Sequence, residues 1–256
     1  MKVARQPAEL EPARRAVALG TFDGVHLGHR KVIAATRDTG LRSTVVTFDP
    51  HPRVVFGNQV ELISTLDRRL ELLQQLGVDE TLVVEFTLEL ARLEPGEFVE
   101  EVLRPIGAEV VVAGTDFRFG RGRRASLETL SEHGFEVRPV ELLEHVSSTR
   151  IRDLVRQGRV EEAAPLLGRT VEVEGVVVTG DARGGTLGFP TANLRVPPNL
   201  LVAAFGIYVG AADGYRAAIS IGMNPHYGGR ERRVEAHLLD FSGDLYGERL
   251  VVELWR

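Results

Sequence analysis

The chain contains no cysteine. That absence excludes disulfide scaffolds, thiolate metal centres and cysteine nucleophiles together, and it fits a reducing compartment. Long apolar runs are also missing: nothing approaches the roughly 18 residues of a membrane-spanning helix. Met1 to Gly20 carries charges throughout, with no apolar stretch ahead of a small-residue cleavage site, so no secretory signal is expected. An excess of positive charge is lacking too. The 31 Lys and Arg stand against 36 Asp and Glu, a net charge of −5, which argues against a general nucleic-acid coat while leaving room for local basic pockets. Repeats and low-complexity tracts are absent. These exclusions lead to the expectation of a soluble, cytoplasmic protein.

What is present is an ordinary globular balance, with 43% hydrophobic and 26% charged residues among 256. At roughly 100–200 residues per domain, the length allows one large domain or two modest ones. The pattern changes near Gly168. Before it, strand-like runs alternate with helical patterns: Val17-Ala18-Leu19, a helix from about Gly28 to Asp38, Thr44 to Phe48, and then Leu66, Leu70, Leu73 and Leu76 at helical spacing with Gly77 as the stop. Thr81 to Val84 and Glu109 to Ala113 follow as further strands. This alternation predicts a parallel sheet covered by helices, with ligands beyond the carboxyl ends of the strands. After Gly168 short strands dominate, at Thr170 to Glu174, Gly206 to Gly210, Tyr215 to Ile221 and Arg233 to Phe241, which suggests a small barrel or sandwich. A helix over Val160 to Leu167, carrying Pro165, is the expected hinge between domains 1–168 and 169–256.

Two segments before the hinge carry chemistry. Gly20-Thr21-Phe22-Asp23-Gly24-Val25-His26-Leu27-Gly28-His29 joins the first strand to the first helix. Its glycines permit a sharp turn and a close backbone approach, and a helix N-terminus suits phosphate. His26 and His29 stand there as hydrogen-bond donors; the alternative is a turn with two capping histidines. Zinc is disfavoured, because no third ligand has suitable spacing. The second segment is Ser147-Ser148-Thr149-Arg150-Ile151-Arg152. Ser148 or Thr149 is the expected N-cap. Two arginines in the first turn oppose the helix dipole, a conflict that an arriving anion offsets; the alternative is a pair of solvated surface arginines.

Two segments after the hinge do the same. Gly180-Asp181-Ala182-Arg183-Gly184-Gly185-Thr186-Leu187-Gly188 reads either as a flexible β-connection or as a backbone cradle for phosphate. It runs into Phe189-Pro190-Thr191-Ala192-Asn193, where Thr191 and Asn193 offer hard oxygen ligands for Mg2+. Val234, Ala236 and Leu238 share one face of a strand, and Glu235 and His237 share the other. Glu235 is either part of a solvated outer face or a carboxylate placed to accept a hydroxyl proton.

The first two segments resemble the HxGH nucleotidyltransferase superfamily. With Thr47-Phe48-Asp49-Pro50-His51-Pro52 and Gly114-Thr115-Asp116-Phe117-Arg118-Phe119-Gly120 lying between them along the chain, the four motifs follow in an order that resembles the bacterial bifunctional riboflavin kinase/FAD synthetases. Gly188 to Asn193, Gly206-Ile207-Tyr208, Ile221-Gly222-Met223-Asn224-Pro225 and Val234 to His237 are similar to the riboflavin kinase module of that family. The resemblance implies an α/β fold: an N-terminal Rossmann-like nucleotidyltransferase domain with a parallel sheet, and a C-terminal small β-barrel of riboflavin kinase type. It implies that ATP phosphorylates riboflavin to FMN with the help of Mg2+, and that ATP then adenylylates FMN to give FAD and pyrophosphate.

By the same resemblance His26, His29 and Arg152 act in adenylyl transfer. Gly20, Phe22, Asp23, Gly24, Gly28, Ser148 and Thr149 bind its ATP phosphates, and Asp116, Phe117 and Phe119 line the nucleotide–flavin cleft. Glu235 is the kinase base; Gly180, Gly184, Gly188, Pro190 and Asn224 bind the kinase ATP; Thr191 and Asn193 hold the metal. The partners implied are small molecules, not nucleic acid or membrane, and homo-oligomerisation is left open. The chain departs from the family at Arg121 to Ser126, more basic than usual, and at Gly185, where a basic residue is common. The family also continues beyond the strand at Val251 to Leu254 into a helical segment beside the flavin site, whereas this chain stops at Arg256. The rival expectations are therefore an FMN adenylyltransferase with an impaired kinase barrel, and a non-catalytic flavin- or nucleotide-binding regulator.

Overall fold

The computed structural model describes residues 1–179, 191–223 and 232–256. They form two compact units: residues 1–60 with 65–146, and residues 61–64 with 147–256.

The first unit holds β1 (Lys2–Ala4), β2 (Arg15–Leu19), α1 (Leu27–Arg37), β3 (Arg42–Asp49), α2 (Pro52–Val55), α3 (Leu66–Gln75), β4 (Glu80–Glu85), α4 (Pro95–Phe98), β5 (Ala108–Gly114), α5 (Leu127–Glu132) and β6 (Glu136–Val140). Its six strands are ordered β1-β4-β3-β2-β5-β6 and every pairing is parallel. The apolar run in β2 is buried along its whole length, as expected of a strand covered on both faces. Val17 and Leu19 pack with Phe98, Leu103 and Leu130 on one side, and Ala16 and Ala18 pack with Val32, Ile33 and Leu73 on the other. Leu72 and Leu73 of α3 are buried, and Gly77 ends the helical run at φ +73°. The two edge strands, β1 and β6, escape the apolar pattern. One has three residues, and the other carries charges and Pro139, which an edge strand tolerates.

The second unit opens with α6 (Ser148–Arg156) and α7 (Val160–Leu167) and continues through β7 (Val171–Val178), β8 (Ala192–Arg195), β9 (Gly206–Ala212), β10 (Tyr215–Met223), β11 (Arg232–Leu238) and β12 (Arg249–Leu254). The strands close into a barrel in the order β10-β11-β8-β7-β12-β9. Closure needs Gly210, because a Cβ there would overlap the Glu253 carbonyl oxygen on β12. The expected division at Gly168 and the division by packing differ. Ile151, Leu154 and Val155 of α6 and Val160, Ala163 and Leu167 of α7 share one apolar core with Val173, Ile219, Val234 and Val252 of the barrel.

Candidate active sites

In the parallel sheet, β2 lies between β3 and β5, so the loops after these three strands emerge side by side at the carboxyl edge, where α/β sheets bind ligands. They are the segments from Gly20, from Asp49 and from Gly114. In the first, His26 is the N-cap of α1: its Nδ1 accepts the backbone N–H of His29 at 3.2 Å. That bond fixes the tautomer, leaving the imidazole proton on Nε2. The His26 and His29 rings stack at 3.5 Å between centroids, and Phe22 meets His29 edge-on at 5.3 Å. His26 is 6% exposed and Asp23 1%.

The glycines of this turn differ in what they do. Only Gly24 uses left-handed backbone, at φ +80°. At Gly20 and Gly28 space is tight: a Cβ on Gly28 would come within 3.1 Å of His26 Cε1, and one on Gly20 within 3.2 Å of the Phe22 ring. The strain falls instead on Phe22 at φ +51° and on the β-branched Val25 at φ +43°, conformations that such side chains rarely adopt.

After β3, His51 is buried and caps α2 by accepting the Arg53 N–H at 3.2 Å. After β5, Asp116 is exposed, Phe117 is half-buried, and Phe119 is buried, stacked on Phe117 and packed against Phe98. The basic stretch that departs from the family pattern has a defined backbone. Phe119 and Ala125 exchange both backbone hydrogen bonds, at 3.1 and 3.2 Å, around the turn that holds Arg121 to Arg124.

On α6 the expected cap shifts by one residue. Ser147 caps the helix, accepting the Arg150 N–H at 3.2 Å, rather than Ser148 or Thr149. Arg150 is therefore the third helical residue and Arg152 the fifth, so the conflict with the dipole falls on Arg150 alone. Arg152 is 7% exposed and its Nε donates to the Glu61 carbonyl at 2.7 Å.

In the barrel, Val234, Ala236 and Leu238 point into the core while Glu235 and His237 lie half-buried on the outer face. Glu235 stands directly across from Asn193 on β8 and from Ser220 on β10. The Arg233 Nη1 donates to Glu235 Oε1 at 3.3 Å, and the Asn193 Nδ2 donates to the Thr191 carbonyl at 3.5 Å. A carboxylate and a carboxamide, both with hard oxygen atoms, thus stand opposite one another on this face.

The FAD synthetase family profile matches residues 8–152, and the riboflavin kinase profile matches residues 167–256. The chain belongs to the bifunctional riboflavin kinase/FMN adenylyltransferase family. The relative from Listeria monocytogenes is 37% identical over 94% of this chain and 83% of its own length, and that from Escherichia coli K12 is 31% identical over 93% and 82%. A Streptococcus pneumoniae crystal structure described as a macrolide-efflux protein superposes with a TM-score of 0.87 at 32% identity, covering 99% of this chain and 89% of that one. Efflux is said of that protein; among the described residues here, no helix is long and apolar enough to cross a membrane.

For this member of the family the sequence motifs omit three site neighbours. Ser220 stands across from Glu235 by strand register, which linear spacing does not show, whereas Arg233, two residues before Glu235 on β11, shares its face by the period of the strand. Arg69, on α3, is wholly buried and donates to the Phe48 carbonyl at 3.0 Å and to Thr47 Oγ1 at 3.2 Å. Gly180, Gly184, Gly188, Pro190 and Asn224 lie outside the described residues.

Proposed function

We propose that this chain makes FMN from riboflavin and FAD from FMN, with residues 1–168 serving adenylyl transfer and 169–256 serving phosphorylation. The observation that carries this reading is the succession of the two family matches, at 8–152 and 167–256, along one chain. Riboflavin, FMN and FAD are its substrates and products and ATP its donor; its partners are these small molecules, and the cytoplasm is its place.

In adenylyl transfer an oxygen of the FMN phosphate attacks the α-phosphorus of ATP, the new P–O–P link forms, and pyrophosphate leaves. The FMN phosphate is already anionic, so the step needs no strong base, and catalysis is positioning with charge stabilisation. His26, with its proton on Nε2, donates to a phosphate oxygen and is held by the cap that its Nδ1 makes. His29, stacked on it, is the second donor. Gly20, Phe22, Asp23, Gly24 and Gly28 shape the turn for the ATP phosphates, and Arg152, Ser148 and Thr149 hold the phosphate tail. Asp116 and Phe117 line the nucleotide–flavin cleft, and Phe119 supports Phe117 from the core.

In the kinase step Glu235 accepts the proton of the riboflavin 5′-hydroxyl as its oxygen bonds to the γ-phosphorus and ADP leaves. Arg233, bonded to the same carboxylate, fixes its orientation. Thr191 and Asn193 would hold Mg2+, whose charge when bound offsets that of the phosphates. The motif assigns Gly180, Gly184, Gly188, Pro190 and Asn224 to this ATP.

The test is direct. The chain is incubated with Mg-ATP and either riboflavin or FMN, and the flavins are separated. FMN from the first mixture and FAD from the second are expected. No FAD from FMN over a range of conditions removes the adenylyltransferase reading, and no FMN from riboflavin removes the kinase reading.

A further inference from the structure

We propose that Arg69 is a positioning residue for adenylyl transfer, holding the strained turn at residues 20–28 in shape through Thr47. The proposal rests on the reading that this turn holds the ATP phosphates.

Arg69 sits within the apolar stripe of α3, beside Leu70 and Leu73, and is 0% exposed. Its Nη1 makes both of its hydrogen bonds, to Thr47 Oγ1 and to the Phe48 carbonyl. Its Nε and Nη2 have no hydrogen-bond partner among the described residues. A guanidinium in such a place costs stability, and a leucine or methionine would fill the stripe without that cost. Burial lowers its pKa, opposed by the charges of Asp23 and Asp49. Those two acids belong to the loops that follow β2 and β3.

The contacts of Arg69 lead to the turn. A threonine hydroxyl has one proton. Because Thr47 Oγ1 accepts from Arg69, that proton is directed to the Thr21 carbonyl, which it meets at 2.9 Å. Thr21 precedes Phe22 and Val25, whose left-handed backbones persist only where surrounding structure over-determines them. Two anchors tie the start of the turn to β3. One is the Gly20 N–H on the Val46 carbonyl at 3.2 Å, and the other is Thr47 on Thr21. Arg69 orients the second. The charge of Asp23, within the turn, acts on the same guanidinium.

The test is steady-state adenylylation with ATP and FMN varied separately, in Arg69→Met, Arg69→Lys and Thr47→Val. Losing a charge-assisted hydrogen bond at a binding element predicts that Arg69→Met raises KM for ATP about tenfold or more, with KM for FMN within about twofold. Lysine keeps a charged donor and should recover KM for ATP to within about threefold of wild type. Thr47→Val, nearly isosteric and with Arg69 intact, should raise it by at least about threefold. It decides the matter should Arg69→Met fail to fold. A merely structural role would lower the yield of active enzyme and leave KM for ATP unmoved. A wild-type KM for ATP in Thr47→Val overturns the proposal, as does an Arg69→Met variant that folds and keeps that KM. His29→Asn separates the two layers. If it leaves KM for ATP unchanged, the phosphate reading of the turn has failed; if it raises KM while the Arg69 and Thr47 variants do not, only the positioning role has.

Discussion

Glu80 lies at the opposite end of the strands from the turn at residues 20–28 and holds a deeply buried ion pair of the sheet. Its Oε2 accepts from Arg15 Nε at 2.7 Å and from Thr44 Oγ1 at 3.4 Å, and its Oε1 from Arg42 Nη1 at 3.1 Å. Arg15 is 1% exposed and Glu80 3%. Arg15 spends its other donors on the carbonyls of Ala13, Ile106 and Glu11 at 3.1, 2.6 and 2.7 Å. Glu80→Gln keeps the shape and one acceptor but leaves the Arg15 charge buried without its counter-charge. Breaking such a pair costs about 3–5 kcal/mol. The three carbonyls still solvate the guanidinium, so the lower end applies, about 3 kcal/mol.

Burial alone would push the Glu80 carboxyl up, but the hydrogen bonds and charges of Arg15 and then Arg42 outweigh it and hold it below its ordinary value of 4.5. A carboxylate depressed in the folded state contributes its stability fully above the unfolded value and loses it as pH falls through the folded one. The gap between wild type and Glu80→Gln should therefore be constant from neutral pH down to about 5.5 and narrow below about 4.5. Because the chain has two compact units, a single global midpoint is the wrong observable. Hydrogen exchange of peptides covering β2 and β4 reads the first unit alone, and about 3 kcal/mol corresponds to amide protection lower by about 150-fold. A loss under about 1 kcal/mol at pH 7, or a gap that widens in acid, would refute the account of this network.

Glu235→Gln should lower riboflavin phosphorylation by about 10²–10⁴-fold while FMN adenylylation is kept, read by separating the flavins; loss of both would contradict independent chemistry. Gly28→Ala brings a Cβ against the His26 ring, which cannot recede without disturbing its stack on His29. The expected rise in KM for ATP of adenylylation is about three- to tenfold, and an unchanged KM would show that the ring is free to move. Ser147→Ala removes the cap of α6 and should cost about 1 kcal/mol, seen as faster exchange in the α6 peptides, whereas Ser148→Ala should cost less.

The fold was legible where burial is two-sided and periodic. The strands at 17–19, 44–48, 81–84 and 109–113, the leucine-spaced α3 and the alternating β11 all stand where their patterns place them. The edge strands were not legible, because an edge needs neither length nor an apolar run. The packing boundary was hidden for a related reason. Amphipathic helices before Gly168 show an apolar face but not which core it joins, and α6 and α7 join the barrel's. In the candidate sites the residue types were readable and their partners were not. Nothing in the linear spacing sets Asn193 and Ser220 opposite Glu235, because that register depends on the closure of the barrel.

Arg69 marks where a finer reading was open. Leu72 and Leu73 are the buried apolar residues of α3, and position 69 is three residues before the one and four before the other, which puts it on the same face. A charged residue on an apolar face is an inconsistency between local pattern and global burial, and such inconsistencies gather at functional positions. The same logic applies to Phe22 and Val25. The turn has a glycine between them, yet the left-handed strain is carried by two bulky residues as well as by Gly24. Glycine substitutions at those positions would relieve strain and enlarge the turn's freedom, so a turn built only to reverse the chain would favour glycine there. Bulky residues instead place side chains: the Phe22 ring meets the edge of His29, and Val25 fills the core between α1 and the sheet. The strain thus has a structural product, a histidine pair whose rings are stacked and met edge-on by Phe22, with Thr47, bonded to Arg69, tied to the Thr21 carbonyl at the start of the turn.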